Sequence, residues 1–118
     1  MRFITMVRGP EGQFPPPSLY EAIEKLGVEA KSAGVFLETG GLLPSDAGAR
    51  VRVTNGKIET TDGPFTEAKE VIGGYAIYDV KSKEEAIEWT EKFMQLHIDH
   101  WPGWEGETEL RQLMEFPA

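Results

Sequence analysis

The chain has 118 residues, with 12 basic and 20 acidic side chains for a formal net charge of −8, and it contains no cysteine. This length suits a single domain over residues 1–118, able to bury roughly two-thirds of its unfolded surface around one core. The acidic balance argues against nucleic acid and anionic membrane as partners, which need clustered basic residues, and the absence of thiols excludes disulfides, cysteine-type zinc sites and thiol nucleophiles.

Residues 2–7 are rich in β-formers, and Phe3, Thr5 and Val7 alternate with Arg2, Ile4 and Met6, which predicts a first strand covered on most of both faces. Gly9 to Pro17 reads as a loop, since the three consecutive prolines Pro15 to Pro17 keep it out of helix and central strand. Ser18 and Glu21 have capping-box spacing, and Leu19, Ile23, Leu26, Ala30 and Ala33 recur at steps of three or four, so an amphipathic helix ending at Gly34 is expected. Gly27 inside it costs about 1 kcal/mol relative to alanine, which calls for a close contact or a kink.

Val35 to Glu38 reads as a short second strand, and Gly40-Gly41 permits a bend before Leu42-Leu43-Pro44. Asn55-Gly56 suits a type I′ hairpin turn with positive φ at both central residues. The register that follows sets Thr54 opposite Lys57, Val53 opposite Ile58, Arg52 opposite Glu59 and Arg50 opposite Thr61. The Arg52 and Glu59 pair supports it, and Arg50 then lies close to Asp62.

Gly74 to Val80 reads as a central strand. Ser82 to Glu85 forms a second capping box, after which Ala86, Trp89, Thr90, Phe93 and His97 mark one face of a second helix. Pro102 and Gly103 break the helical pattern, and Leu110 to Phe116 alternates as a last strand. The order β-α-β-β-β-α-β is a ferredoxin-like arrangement with one added strand. The fold expected is α+β, a ferredoxin-like antiparallel sheet with two helices on one face. The other face, to which Ile4, Met6, Ala76 and Tyr78 are assigned, is left to close against a second copy as a dimeric α/β barrel.

Between the hairpin and the central strand stands Asp62-Gly63-Pro64-Phe65-Thr66-Glu67-Ala68-Lys69-Glu70, followed by Gly73-Gly74-Tyr75. Asp62-Gly63-Pro64 is turn chemistry. Phe65 is expected to be buried as the anchor of the loop, and Asp62 to be fixed by backbone donors of its own turn. Asp62, Glu67, Lys69 and Glu70 are the candidate catalytic residues. Carboxylates and a lysine that converge in a partly buried loop push their pKa values apart and leave one group able to exchange a proton at pH 7. At least one carboxylate should then line a concave pocket, with Lys69 or an arginine such as Arg8 nearby. The plain alternative is a solvated face on which Lys69 pairs with Glu67 or Glu70.

The nine-residue run and its G-G-Y strand resemble the YciI-related family, also called DGPF-domain proteins. Met1-Arg2-Phe3, Leu43-Pro44-Ser45, Gly48 to Arg52, Glu85 to Trp89 and Glu109 to Gln112 extend the resemblance over nearly the whole chain. The resemblance implies a small α+β barrel that dimerises, with a biochemical role poorly defined across the family. Wider family members are similar to small isomerase and dehalogenase-type enzymes that use a His and Asp pair for acid/base work. The histidine of that pair lies early in those chains, and residues 1–32 here contain none, so the dyad does not carry over. Family members are also associated with extracytoplasmic-function sigma factors, which implies a regulatory role as the alternative.

His97 and His100, with Asp99 between them, lie on one side of a helical turn. Without i, i+4 spacing or a third ligand, a metal site has little support, and a structural or solvated pair is favoured. Asp99 offers a further reading, in which it holds one imidazole in a fixed tautomer and makes a base available near neutral pH. Trp89 is expected in the core. Trp101 and Trp104 flank Pro102-Gly103, where a subunit contact is favoured over a pocket wall. No phosphate loop, nucleophile elbow or Ser/His/Asp order is present, and neither a leader nor a run of ~18 apolar residues is seen. The expectation is a cytoplasmic homodimer, without cofactor or metal, that binds a small molecule between the sheet and the Asp62 to Glu70 loop. Its activity would be proton transfer of isomerase or lyase type; the alternative is a non-catalytic ligand-sensing or interaction module.

Overall fold

The computed structural model describes residues 1–65 and 70–116; Glu67 and Lys69 of the candidate set lie outside them. The elements in chain order are β1 (Arg2–Gly9), α1 (Pro17–Ser32), β2 (Phe36–Gly41), β3 (Ala49–Thr54), β4 (Lys57–Asp62), β5 (Val71–Asp79), α2 (Lys83–His100) and β6 (Glu107–Gln112). Four strands form one antiparallel sheet in the order β2-β5-β1-β6, and β3 with β4 forms a separate two-stranded sheet. This is the ferredoxin-like order with a hairpin inserted between β2 and β5. The insertion brings two strands, one more than the sequence order allowed for.

Phe3 and Tyr78 join Leu26 and Ala30 of α1 and Ala86 and Trp89 of α2 in one buried core. Both helices therefore cover the same sheet face. Phe3 pairs with Tyr78 and Thr5 with Ala76, so Tyr78 and Ala76 face the helices and do not belong to the open face as expected. The open face carries Ile4 opposite Ile77 and Met6 opposite Tyr75. Consecutive apolar residues at Ala76, Ile77 and Tyr78 leave the sidedness of β5 ambiguous, and only its pairing with β1 resolves it.

The helix starts differ in kind. α1 begins at Pro17, where a missing N–H costs nothing, and no side chain caps it. Ser18 is already inside the helix, so its capping box does not form. At α2 the Ser82 cap forms: the Glu85 N–H donates to Ser82 Oγ at 3.1 Å, while the Glu85 carboxylate reaches one residue past the N-cap and accepts from the Lys81 N–H at 2.9 Å. Such a cap stabilises a helix by about 1 kcal/mol. Gly27 makes no close contact, since a Cβ there would meet nothing within 4 Å. Its bare position instead borders a pocket beneath α1.

The hairpin has the register read from Asn55-Gly56, including Val53 opposite Ile58 and Arg50 opposite Thr61. Asn55 and Gly56 have φ of 53° and 75°, as a type I′ turn demands. One face carries Val51, Val53 and Ile58, which are 68%, 74% and 74% exposed. The opposite face carries Arg50, Arg52, Lys57 and Glu59. β6 stops at Gln112, short of Phe116; the last bond runs from the Leu113 N–H to the Arg2 carbonyl at 2.8 Å.

Candidate functional site

The buried face of α2 ends at His97, which is only 6% exposed. Its Nδ1 lies 3.0 Å from the Phe93 carbonyl oxygen. A carbonyl can only accept, so in the neutral ring Nδ1 carries the hydrogen and Nε2 keeps a lone pair. Burial lowers the His97 pKa below the usual imidazole range, with the bond to Phe93 opposing that shift. The ring is therefore neutral at pH 7. Asp99 does not orient it, contrary to one reading of the sequence; the Asp99 carboxylate accepts from Gln95 Nε2 at 3.0 Å. Among the described residues no side-chain nitrogen or oxygen is sealed away without a partner. Nε2, which bonds to none of them, therefore keeps some exposed surface, and His97 is among the residues that line a pocket.

Three aromatic rings surround the imidazole. Its centroid stands 4.7 Å from Phe93, 4.6 Å from Trp104 and 6.4 Å from Trp101, and the two indoles stack at 5.7 Å. The turn that brings Trp104 back is closed by its N–H on the Trp101 carbonyl at 3.1 Å. Trp104 can lie on the strand backbones because Gly9 and Gly106 carry no side chain: a Cβ on Gly106 would sit 2.4 Å from both the indole and the Arg8 carbonyl. Within the single chain, then, Trp101 and Trp104 wall a pocket, the less favoured of the two sequence readings. The pocket measures about 430 Å³ and lies between the helix side of the sheet, both helices and the proline loop, with Phe14, Tyr20, Phe36 and Phe93 among its walls. That volume is in the range of small-molecule sites.

A second cleft, of about 580 Å³, adjoins the first and is bordered by Arg8, Leu43, Arg50, Phe65 and Glu70. Arg8 Nη1 bonds Glu109 Oε1 at 2.6 Å. That bond, then the charges of Glu109, Glu107 and Glu70, raise the guanidinium pKa against desolvation. Among the described residues of the motif, Glu70 is thus the carboxylate that borders a concave surface with Arg8. Asp62 is exposed at the end of β4, opposite Ala49, and borders neither cavity.

The motif turn is gripped from outside itself. The Gly63 N–H donates to the Gly48 carbonyl at 2.8 Å and the Phe65 N–H to Ser45 Oγ at 3.1 Å, so the turn does not rest on the Asp62 side chain. The Ser45 N–H in turn donates to the Glu11 carboxylate. Phe65 is half-buried, not buried, and the Arg50 guanidinium lies 4.0 Å above its ring. Arg50 and Asp62 occupy neighbouring positions of opposite facing on the hairpin. Sequence reasoning gave His97 no pocket and Glu11 no role. The signal for the first was the run Phe93, His97, Trp101 at steps of four; for Glu11 there was none.

Among the described residues no three of His, Asp and Glu gather as metal ligands, and no helix is long and apolar enough to cross a membrane.

Fold and cavity together define an α+β protein of ferredoxin-like topology with an aromatic pocket between sheet and helices. The chain belongs to the YCII-related domain family, which it matches over residues 17–99. It is 34% identical over 67 residues to an uncharacterized protein of Rhizobium meliloti (strain 1021), a match covering 57% of this chain and 52% of that one, so the chain spans about half of this relative. Among solved structures it is similar to the 5-chloro-2-hydroxyhydroquinone dehydrochlorinase of Burkholderia phenoliruptrix AC1100 in complex with 2,5-dihydroxybenzoquinone, with a TM-score of 0.48 and 16% identity over 98% of this chain and 96% of that one. A protein from Agrobacterium tumefaciens is similar with a TM-score of 0.41 and 13% identity, covering 97% and 95%.

Proposed function

We propose that the protein is a small acid/base enzyme of isomerase or lyase type that works on a small molecule in the aromatic pocket, with His97 Nε2 as the base. The observation that carries this reading is the neutral imidazole, fixed in one tautomer by a backbone carbonyl, in a residue that lines a cavity. The Nε2 lone pair takes a proton from the bound molecule. The electron pair left behind either accepts a proton at another atom, which isomerises the molecule, or expels a leaving group, which makes the step a lyase reaction. The indole faces of Trp101 and Trp104 offset the charge of the transient imidazolium. The functional unit is a homodimer closed through the open sheet face.

Asp62, Glu67, Lys69 and Glu70 are the competing candidates for proton exchange, and the position of Glu70 beside Arg8 supports that set. Solvent-deuterium exchange into a panel of cyclic ketones, lactones and phenols, followed by proton NMR, separates the two. Exchange catalysed by the wild type and lost in His97→Asn supports the reading. Exchange that survives in His97→Asn and disappears in Glu70→Gln moves the chemistry to the motif. A ligand-sensing or interaction module, as in sigma-factor regulation, is the second reading, favoured by the exposure of Asp62 and Glu70. Binding with no exchange of any kind would support it.

A further inference from the structure

Hydrogen bonding alone does not select a guest for the aromatic pocket, because its walls both donate and accept. Thr5 Oγ1 donates to the Ala76 carbonyl at 3.3 Å, Thr39 Oγ1 to the Tyr75 carbonyl at 2.8 Å, Thr90 Oγ1 to the Ala86 carbonyl at 2.8 Å and Thr108 Oγ1 to Met94 Sδ at 3.0 Å. Carbonyls and thioethers only accept, so these hydroxyls have committed their hydrogens and offer lone pairs. The indole N–H groups of Trp101 and Trp104, the Gln13 amide and the Tyr20 and Tyr78 hydroxyls supply donors on the same walls.

Formal charge, in contrast, is one-sided. Among the described residues Glu11 lines the pocket and no lysine or arginine does. Hydrogen bonds from the Ser45 hydroxyl and N–H hold the Glu11 carboxyl below the usual range, so it is ionised at pH 7. His97 does not offset that charge, since burial keeps its imidazole neutral. In the adjoining cleft Arg8 is engaged by Glu109 at 2.6 Å, and Arg50 lies 4.0 Å above the Phe65 ring. The chain as a whole, at −8, adds a field that concentrates cations around it.

Ring faces supply the third part. Glu11, Phe14 and Tyr20 follow one another from the proline loop into α1, and Phe93, Trp101 and Trp104 line the same cavity. An aromatic face carries partial negative charge, and such faces beside a carboxylate attract an alkylated ammonium group. A metal ion would need a cage of oxygen ligands instead. An anion would find neutral donors but no cationic partner, and would face Glu11.

We infer that the aromatic pocket takes an organic cation, a tertiary or quaternary ammonium group, with Glu11 as its counter-ion and the surrounding ring faces as its contact surface. This names the ligand class of the site proposed above. It rests on the reading that the aromatic pocket is the ligand site, but not on His97 acting as a base.

The test uses three probes of one shape and different charge: choline, its uncharged carbon analogue 3,3-dimethylbutan-1-ol, and the anion 3,3-dimethylbutanoate. Titrations of the wild-type protein at pH 7 follow the indole N–H resonances of Trp101 and Trp104 by proton–nitrogen NMR. Choline should shift them saturably and bind at least about tenfold more tightly than either analogue, as cation–π attraction together with a counter-ion requires. A smaller preference, or a preference for the alcohol or the carboxylate, overturns the inference while leaving the pocket as the site. Absence of any indole shift with all three probes overturns the inference and the pocket reading together. Two substitutions localise the effect. Glu11→Gln keeps an acceptor for Ser45 but removes the charge, and Tyr20→Leu removes a ring that is 57% exposed, so neither threatens the fold. Each should weaken choline several-fold and leave the alcohol nearly unchanged; losses that are equal for both probes would count against the inference. If choline binds as expected while no deuterium exchange is catalysed, the ligand class stands and the enzyme reading alone fails.

Discussion

A Cβ on Gly63 would fall 1.6 Å from the Ser45 carbonyl oxygen. The glycine of the motif is thus a packing requirement: the turn at Gly63 lies flat against the short 3-10 turn Ser45–Ala47. Ser45 joins both sides, accepting the Phe65 N–H on its hydroxyl and donating its own N–H to Glu11. Glu11 belongs to the proline loop that borders the aromatic pocket. Residues far apart in sequence, from the pocket's rim to the motif, are linked through one serine.

Gly63→Ala should therefore destabilise the protein by about 2 to 3 kcal/mol, the range for overpacking a site that cannot expand. Urea denaturation followed by circular dichroism measures it. A loss below about 0.5 kcal/mol would show that the Ser45 turn moves aside freely.

Phe65→Ala should cost about 1 to 2 kcal/mol. A fully buried phenylalanine would cost about 3 or more, but this ring is half-buried and part of its contact is the Arg50 guanidinium, which contributes about 0.5 to 1 kcal/mol at such a site. The same denaturation assay decides it, and a loss above 3 kcal/mol would mean that the ring is more enclosed than its exposure indicates.

His97 makes stability depend on pH in a defined direction. Burial lowers its pKa in the folded protein, whereas in the unfolded chain it titrates near 6.5. Between those two values the unfolded state binds more protons, so stability rises with pH through that window. It is fully present above about 6.5 and is lost as pH falls toward the folded value. His97→Phe removes this dependence. The unfolding free energy of the wild type relative to that variant should decline from pH 7.5 to pH 5, and a constant difference would falsify the burial effect.

Sedimentation equilibrium at micromolar concentration should give about twice the 13.2 kDa monomer mass. Ile77→Glu places a charge in the middle of the open sheet face and should shift the equilibrium toward monomer. Wild type that sediments as a monomer would remove the case for closure through that face.

The hairpin was legible in the sequence because its determinants are local: Asn55-Gly56 fixes the turn, and alternation fixes the rest. The Ser82 cap of α2 was legible for the same reason. At α1 two local signals competed, and Pro17 set the start ahead of Ser18. The sidedness of β5 was hidden because Ala76, Ile77 and Tyr78 are apolar in succession, and a strand buried on one face only by its neighbours carries no period of its own. The tautomer of His97 depends on a backbone carbonyl, which no side-chain pattern displays. The Glu11 to Ser45 bond joins positions 34 residues apart, beyond any local rule.

The chain's Cα atoms span 46 × 44 × 19 Å, the shape of a slab in which one helix layer lies on one sheet layer. Such a plate drags more solvent than a sphere of its mass. Two plates joined through their open sheet faces would be about twice the 19 Å thickness, nearly as deep as they are wide. Assembly would therefore lower the frictional ratio as well as double the mass, and the sedimentation coefficient would rise more steeply than mass alone requires.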